Sequence, residues 1–367
     1  MVPTDAPNPA DQIAFLGNVE RLLSEGDFSA TYKYALLIGL ADLAVRHGHD
    51  HTGPLELRIR DLGEKFLELY WQQALPYTPG VADVDGRVLK QNHGGQAEVI
   101  RFVEKLRIHH PTLAQARNST DWARAVAGSA RTVNKMPLWR LQNLRGGSAE
   151  FLYSAGEQGT IILKPGVSAN LRRFHGLLVR LVQSEWVRAV QRMNPSLGPA
   201  SDLEQFLFGT ERRSLIGIRE GLADIQKGRC FYCGSPLRGG EVDHFIPWSR
   251  YPRDLAHNFV LADAKCNSLK SDLLAAPRHT RNWIERNAFH EKLVAELGVS
   301  AGFIADLNES LRIAEWSYGQ AATAGASVWI AGKDAIALDE NWKTLFEELS
   351  LRQQGSLGSE RNDLPVL

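Results

Sequence analysis

The sequence predicts a predominantly helical α+β fold with one small strand–loop–strand–helix unit embedded in it. Three observations carry this reading. Apolar residues recur at spacings of three and four along most of the chain. β-prone runs bounded by turn residues are few. Residues 241–272 hold two short strand patterns, separated by an irregular loop and followed at once by a helix start. A chain of 367 residues is long enough for two or three domains with a sizeable core.

The elements follow in order. Helical periodicity marks residues 12–25, 30–48 and 58–75. Residues 77–86 form a Pro/Gly/Asp-rich break. The helical pattern resumes over 96–110, stops at Pro111 and returns over 121–133. Between Glu150 and Gly166 the period changes, and two β-prone runs flank "SAGEQG" as in a hairpin. An amphipathic helix is expected over 170–194, ended by Pro195, and helical stretches at 201–209 and 215–228 lead into the cysteine-bearing segment. Beyond 272 the pattern predicts helices over 280–298 and 303–319, an apolar stretch at 326–332, a last helix over 340–350 and a loose polar tail. The expected regions are a helical 1–145, a hairpin and basic helix at 146–205, a strand–strand–helix module at 206–290 and a helical 291–367. No internal repeat is present.

Composition excludes several classes. With 44% hydrophobic and 23% charged residues, the chain reads as an ordinary soluble globular protein rather than a disordered one. Its longest apolar run, 34–45, is too short to span a bilayer and contains Asp42. The acidic, proline-rich start reads as neither a secretory signal nor a transit peptide. Three cysteines, two of them in C-x2-C spacing, argue against a disulfide framework and for a reducing compartment with a metal knuckle. A cytoplasmic protein with no membrane contact is expected.

Net charge is zero, but its distribution is uneven. Residues 101–192 hold 15 Lys/Arg against 5 Asp/Glu, while residues 1–100 hold 8 against 14. A basic middle third could attract a polyanion, or be only a solvated surface. Within the expected helix 170–194, Arg173, Arg180 and Arg188 fall near one stripe, with Arg172 and Arg192 off it. Arg172, Arg173, Arg180 and Arg188 are candidate nucleic-acid contacts. Arg101, Lys105, Arg107, Arg131 and Lys135 add to a DNA-facing middle region only collectively.

The chemistry concentrates in residues 230–272. A turn at Gly239–Gly240 leads to a strand over "EVDHFI" that Pro247 ends. The loop "WSRYPRDLAH" follows, then the strand "NFVLA" and a helix opening at Asp263 or Ala264. Asp243 and the side-chain carbonyl of Asn267 offer oxygen ligands to a hard divalent cation such as Mg²⁺ or Mn²⁺. His244 could then take a proton from water aimed at phosphorus, giving a one-metal, one-histidine phosphodiester hydrolase. Neighbours on a regular strand point to opposite faces, so Asp243 and His244 share a site only if the strand ends or bulges there. Lys270 lies on the same helix face as Asn267 and could meet a phosphate. His257 reads as a polar loop residue, and Trp248 and Tyr251 as loop packing or base-stacking groups.

The order Asp-His, then Asn ahead of a Val-Leu strand, then Cys-Asn-x-x-Lys resembles the HNH (ββα-metal) endonuclease motif over residues 230–272. The resemblance implies His244 as general base, Asp243 and Asn267 as ligands of the catalytic metal, and Asn258 as a brace for the loop that orients the histidine. It also implies products with 5′-phosphate and 3′-hydroxyl ends. Many zinc-bearing HNH domains carry C-x2-C both before the first strand and at the helix start; here the second pair reads "DAKC". Cys230, Cys233, Cys266 and Asp263 could therefore hold a structural Zn²⁺, or Asp263 could serve only as a helix N-cap.

These features imply an endonuclease that nicks or cuts DNA, most simply double-stranded. By analogy it would act in bacterial (phage) defence with a protein partner. Two other readings remain open: a catalytically silent nucleic-acid-binding or assembly subunit with the HNH fold, and an RNase using the same site.

Overall fold

Residues 33–45 of the helix Tyr32–His47 are buried without interruption, which makes this helix the axis of the N-terminal packing. The computed structural model describes residues 6–26, 28–78, 86–144, 147–197, 202–209 and 215–346. The chain divides into two compact units, Met1–Arg212 and Arg213–Leu367.

The first unit opens with α1 (Pro9–Glu25), the axial α2 (Tyr32–His47), β1 (Leu55–Arg58) and α3 (Ile59–Tyr70). The two-residue strands β2 (Pro76–Tyr77) and β3 (Arg87–Val88) lead to α4 (Glu98–His109), α5 (Leu113–Arg117), α6 (Thr120–Lys135) and α7 (Pro137–Arg140). Then come β4 (Asn143–Leu144), β5 (Gly147–Ser148), β6 (Tyr153–Ala155) and β7 (Thr160–Leu163). The unit closes with α8 (Val167–Arg173), α9 (His175–Met193) and α10 (Leu203–Phe208). One apolar core, centred on Leu36, Leu40, Leu62, Phe66 and Trp186, joins these helices. At Gly63 the backbones of α3 and α6 come so close that a Cβ would lie 2.6 Å from the Ala130 nitrogen.

Charges are buried here too, in a chain of pairs. The Lys65 Nζ lies 2.7 Å from Asp42 and 2.8 Å from Glu68, His175 Nε2 lies 2.8 Å from Asp42, and Arg117 lies 2.9 Å from Glu68. The chain of pairs ties α2, α3, α5 and α9 together.

The hairpin expected between 150 and 166 is β6–β7, but it has a third strand. β1 pairs antiparallel with β7, Leu55 opposite Leu163, in a sheet ordered β1-β7-β6. The expected helix 170–194 is two helices, broken at Phe174 (φ −102°, ψ 14°).

The second unit contains α11 (Ile216–Ile225), β8 (Glu241–His244), β9 (Phe259–Ala262) and α12 (Ala264–Lys270). After these come α13 (Pro277–Phe289), α14 (Glu291–Ser300), α15 (Leu307–Thr323), β10 (Ser327–Ala331) and β11 (Asp334–Ala337). The helix expected over 280–298 is thus split between α13 and α14, and the apolar stretch at 326 is one arm of a hairpin. Ile218, Leu222, Phe259, Leu261, Val294 and Phe303 form a core beneath β9. Gln226, at the end of α11, exchanges both amide bonds with the backbone of Leu261 at 2.8 and 2.9 Å. No helix among the described residues is long and apolar enough to cross a membrane. Residues 79–85 of the expected break, residues 347–350 of the last helix and the tail lie outside the described residues.

Candidate functional site

The cysteine segment folds as a tight knuckle. The Cys230 N–H donates to the Ser235 carbonyl and the Gly234 N–H to the Cys230 carbonyl, each at 2.9 Å. Gly234 has φ +71°, a left-handed conformation that glycine takes without strain. The Phe231 N–H reaches the Leu261 carbonyl at 3.0 Å, which fastens the knuckle to β9. Cys266, in the first turn of α12, then meets the pair: the sulfurs of Cys230, Cys233 and Cys266 all lie within 4.8 Å of one another. Three convergent thiols suit the soft, tetrahedral preference of Zn²⁺. Burial pushes the Cys266 thiol up to about 12, and a hydrogen bond from Ser235 draws the Cys233 thiol down.

Asp263 departs from the four-ligand expectation. Its carboxylate is not in the cluster among the described residues. Instead its Oδ1 accepts the Lys265 N–H at 2.9 Å and caps α12, while its own N–H donates to the Cys230 sulfur at 3.3 Å. The reason is local: at an N-cap the carboxylate is turned toward the first free amides of its own helix.

β8 and β9 pair antiparallel, Asp243 opposite Val260 and His244 opposite Phe259, and β8 ends at His244. Alternation gives the two residues different surroundings. Asp243 is buried; its Oδ2 accepts the Tyr232 hydroxyl at 2.5 Å and lies 3.0 Å from the Lys270 Nζ. Its Oδ1 lies farther from that ammonium, at 3.4 Å. His244 is half-buried, its ring set between Trp248 and Phe259 at 5.5 and 5.0 Å. Its Nε2 lies 2.7 Å from Asp254 Oδ1. With Nε2 donating its hydrogen to the carboxylate, Nδ1 carries the lone pair that can accept a proton.

Asn258 is buried and holds the loop by both ends of its amide. Its Oδ1 accepts the Ile246 N–H at 2.8 Å and its Nδ2 donates to the Ile246 carbonyl at 3.0 Å. Asn267, on α12, donates to Glu241 Oε2 at 2.8 Å. Glu241 and Asp243, two residues apart, share one face of β8 and meet Asn267 and Lys270, three apart on α12.

Two basic candidates are internal. Lys270 has no exposed surface; it donates to the His244 carbonyl at 2.9 Å and pairs with Asp243. Burial lowers its pKa, an effect Asp243 opposes, and burial followed by Asp243 raises the Tyr232 hydroxyl well above its usual value. A surface phosphate contact is therefore not what this lysine offers. Arg172 is likewise buried, bonded through Nε to Asp50 at 2.7 Å and through Nη1 to the Val45 carbonyl at 3.0 Å. Through its carbonyl contacts it caps the negative end of α2. Arg173, Arg180 and Arg188 are exposed, and Arg188 pairs with Glu185 at 2.6 Å.

His257 is buried away from water. Its carbonyl gathers three donors, Trp283 Nε1, Arg286 Nη2 and Asn287 Nδ2, and burial lowers its imidazole to about 4. Tyr251 is buried with its ring 5.9 Å from that of Trp316.

Asp254, Glu241 and Tyr232 were not singled out by the sequence. Asp254 lies in the aperiodic loop, ten positions from its partner, so no spacing rule points to it. The alternation of acids at 241 and 243 was the one signal available for Glu241.

Residues 230–273 match the family model described as HNH endonuclease. The match covers a segment of the chain, and it includes the three thiols, Asp243, His244, Asp254, Asn258, Asn267 and Lys270. No curated protein and no solved structure matches the chain. The HNH segment points to nuclease-type, metal-dependent chemistry on a nucleic acid, and its three-thiol cluster could hold zinc.

Proposed function

We infer that the HNH segment hydrolyses phosphodiester bonds of double-stranded DNA, with His244 as the general base. The observation that carries this reading is the His244–Asp254 hydrogen bond of 2.7 Å inside the matched segment. Asp254 fixes the imidazole so that Nδ1 can accept the proton of a water attacking phosphorus, and its charge stabilises the imidazolium that results. Asn258 holds the end of β8 in place through Ile246, so the ring need not be reoriented during the reaction. The P–O bond to the leaving 3′ oxygen breaks and that oxygen takes a proton from solvent, giving 5′-phosphate and 3′-hydroxyl ends.

The oxygens of Asp243, Asn267 and the adjacent Glu241 are the donor type a hard cation takes. Mg²⁺ or Mn²⁺ held by Asp243 and Asn267 would supply charge neutralisation at the leaving oxygen. Oδ1 of Asp243, with its 3.4 Å contact, is the oxygen more easily recruited. Zn²⁺ on Cys230, Cys233 and Cys266 would be structural, joining the knuckle to α12. By analogy alone, the reading extends to bacterial defence against foreign DNA with a triggering protein partner.

One observation favours a silent binding subunit instead: Tyr232 and Lys270 both engage Asp243. Plasmid nicking in Mg²⁺ or Mn²⁺, with His244→Ala and EDTA controls, separates the two. Nicking that survives His244→Ala sinks the mechanism, and no nicking by wild type in either metal favours the silent subunit. Labelled single-stranded DNA and RNA run in parallel identify the substrate.

A further inference from the structure

The first unit holds a basic surface that the proposed chemistry does not use. Residues 101–145 carry nine Lys or Arg and two Asp or Glu. Arg107 of this set is spent internally, over the Trp71 ring at 4.9 Å and on the Trp71 carbonyl. Most of the others are exposed on α4 and α6. On α6, Arg124, Arg131 and Lys135 follow at intervals of seven and four, within about 40° of one another around the axis and about 16 Å from end to end. On α4, Arg101 and Lys105 are one turn apart and exposed.

Two contacts fix how these helices lie. Thr132 on α6 donates to Glu98 on α4 at 2.8 Å, and Gly128 meets the Phe102 ring, where a Cβ would lie 2.7 Å from Cζ. Glu98 against Thr132 and Phe102 against Gly128 make the pair antiparallel. In that packing, helical geometry brings both cationic stripes to the same side of the pair. The opposite side of α6 is largely apolar and buried, through Trp122, Val126 and Val133. Of the acids nearby, Asp121 pairs with Arg124 at 3.2 Å and offsets that one charge, while Glu104 lies on another side of α4.

We propose that the α4–α6 face, through Arg101, Lys105, Arg131 and Lys135, docks the phosphate backbone of duplex DNA. The inference rests on the nuclease reading for its choice of polyanion. It moves the contact away from α8–α9, where Arg172 is buried and Arg188 is paired. A row of exposed cations suits a sequence-independent backbone contact.

The test is fluorescence anisotropy of a labelled duplex of about 20 base pairs with the full chain in EDTA, over a salt series. Arg101→Gln, Lys105→Gln, Arg131→Gln and Lys135→Gln together should weaken binding on the order of 100-fold at 50 mM salt and flatten the log–log salt slope by about 3.6. Arg173→Gln, Arg180→Gln and Arg188→Gln together should leave binding within twofold. Circular dichroism melts show whether each protein is folded. A folded α4–α6 variant that binds as wild type does overturns the proposal, as an acidic protein partner on this face would produce. A wild type without salt-dependent binding overturns it too. Because EDTA removes cleavage, these results are independent of whether His244→Ala abolishes nicking.

Discussion

Asp254 Oδ1 stands 2.7 Å from Nε2 of His244, so the loop between β8 and β9 supplies the carboxylate partner of that imidazole. If the carboxylate holds and charges the histidine pair, its removal should slow cleavage without weakening DNA binding. Asp254→Asn is expected to reduce the single-turnover nicking rate by about 10-fold or more, against about 10²–10⁴-fold for His244→Ala. Equal affinities for DNA in EDTA, set beside the rates, check that the loss is in the chemical step.

Lys270 and Asp243 form a buried pair, so removing one member strands the other. Lys270→Met should cost about 3 kcal/mol of stability, and adding Asp243→Asn should restore part of it. Urea unfolding of the two singles and the double measures the coupling. Additive losses would show that the ion pair is not what holds the two residues together.

Metal content should follow the thiols and ignore the cap. Protein purified without added metal is expected to carry zinc in wild type and in Asp263→Ala, and to lose it in Cys233→Ser. Asp263→Ala should still lose about 1 kcal/mol, the usual worth of an N-cap. Elemental analysis beside a thermal melt gives both readings at once.

Acid should loosen the first unit through Asp42. Burial raises this carboxyl, but Lys65 and His175 overcome that effect and hold it well below the usual carboxylate range. A depressed folded value means the stabilisation is present above the unfolded value of about 3.9 and is lost as pH falls below it. Unfolding free energy measured from pH 6 to pH 2 should therefore fall more steeply in wild type than in Asp42→Asn.

The site was legible where its information is local. Asp243, His244, Asn258, Asn267 and the thiols sit in a fixed order of residue types over one short segment, and the family match covers the same stretch. What could not be read depends on distant chain. β1 pairs with β7 a hundred residues later, and its Leu55–Arg58 run flows directly into a helix with a stronger periodic signal. The arginine stripe on 170–194 assumed one helix; the break at Phe174 leaves Arg172, buried, and Arg173 on α8 and separates them from Arg180 and Arg188 on α9. Lys270 read as a surface lysine because nothing in α12 announces that Tyr232 and Asp243 enclose its far end. Asp254 needed loop closure to be known, and no periodicity describes a loop.

The amide of Asn258 grips Ile246 twice, and this grip closes the loop 247–257 at its root. The two strands are joined there without help from the peptide chain that runs between them. A protease that severed the loop at exposed Ser249 or Pro252 would then leave a stitched pair of fragments with the hairpin intact. Asp254 would remain tethered from one side only. Shape and catalysis could be parted by a single scission.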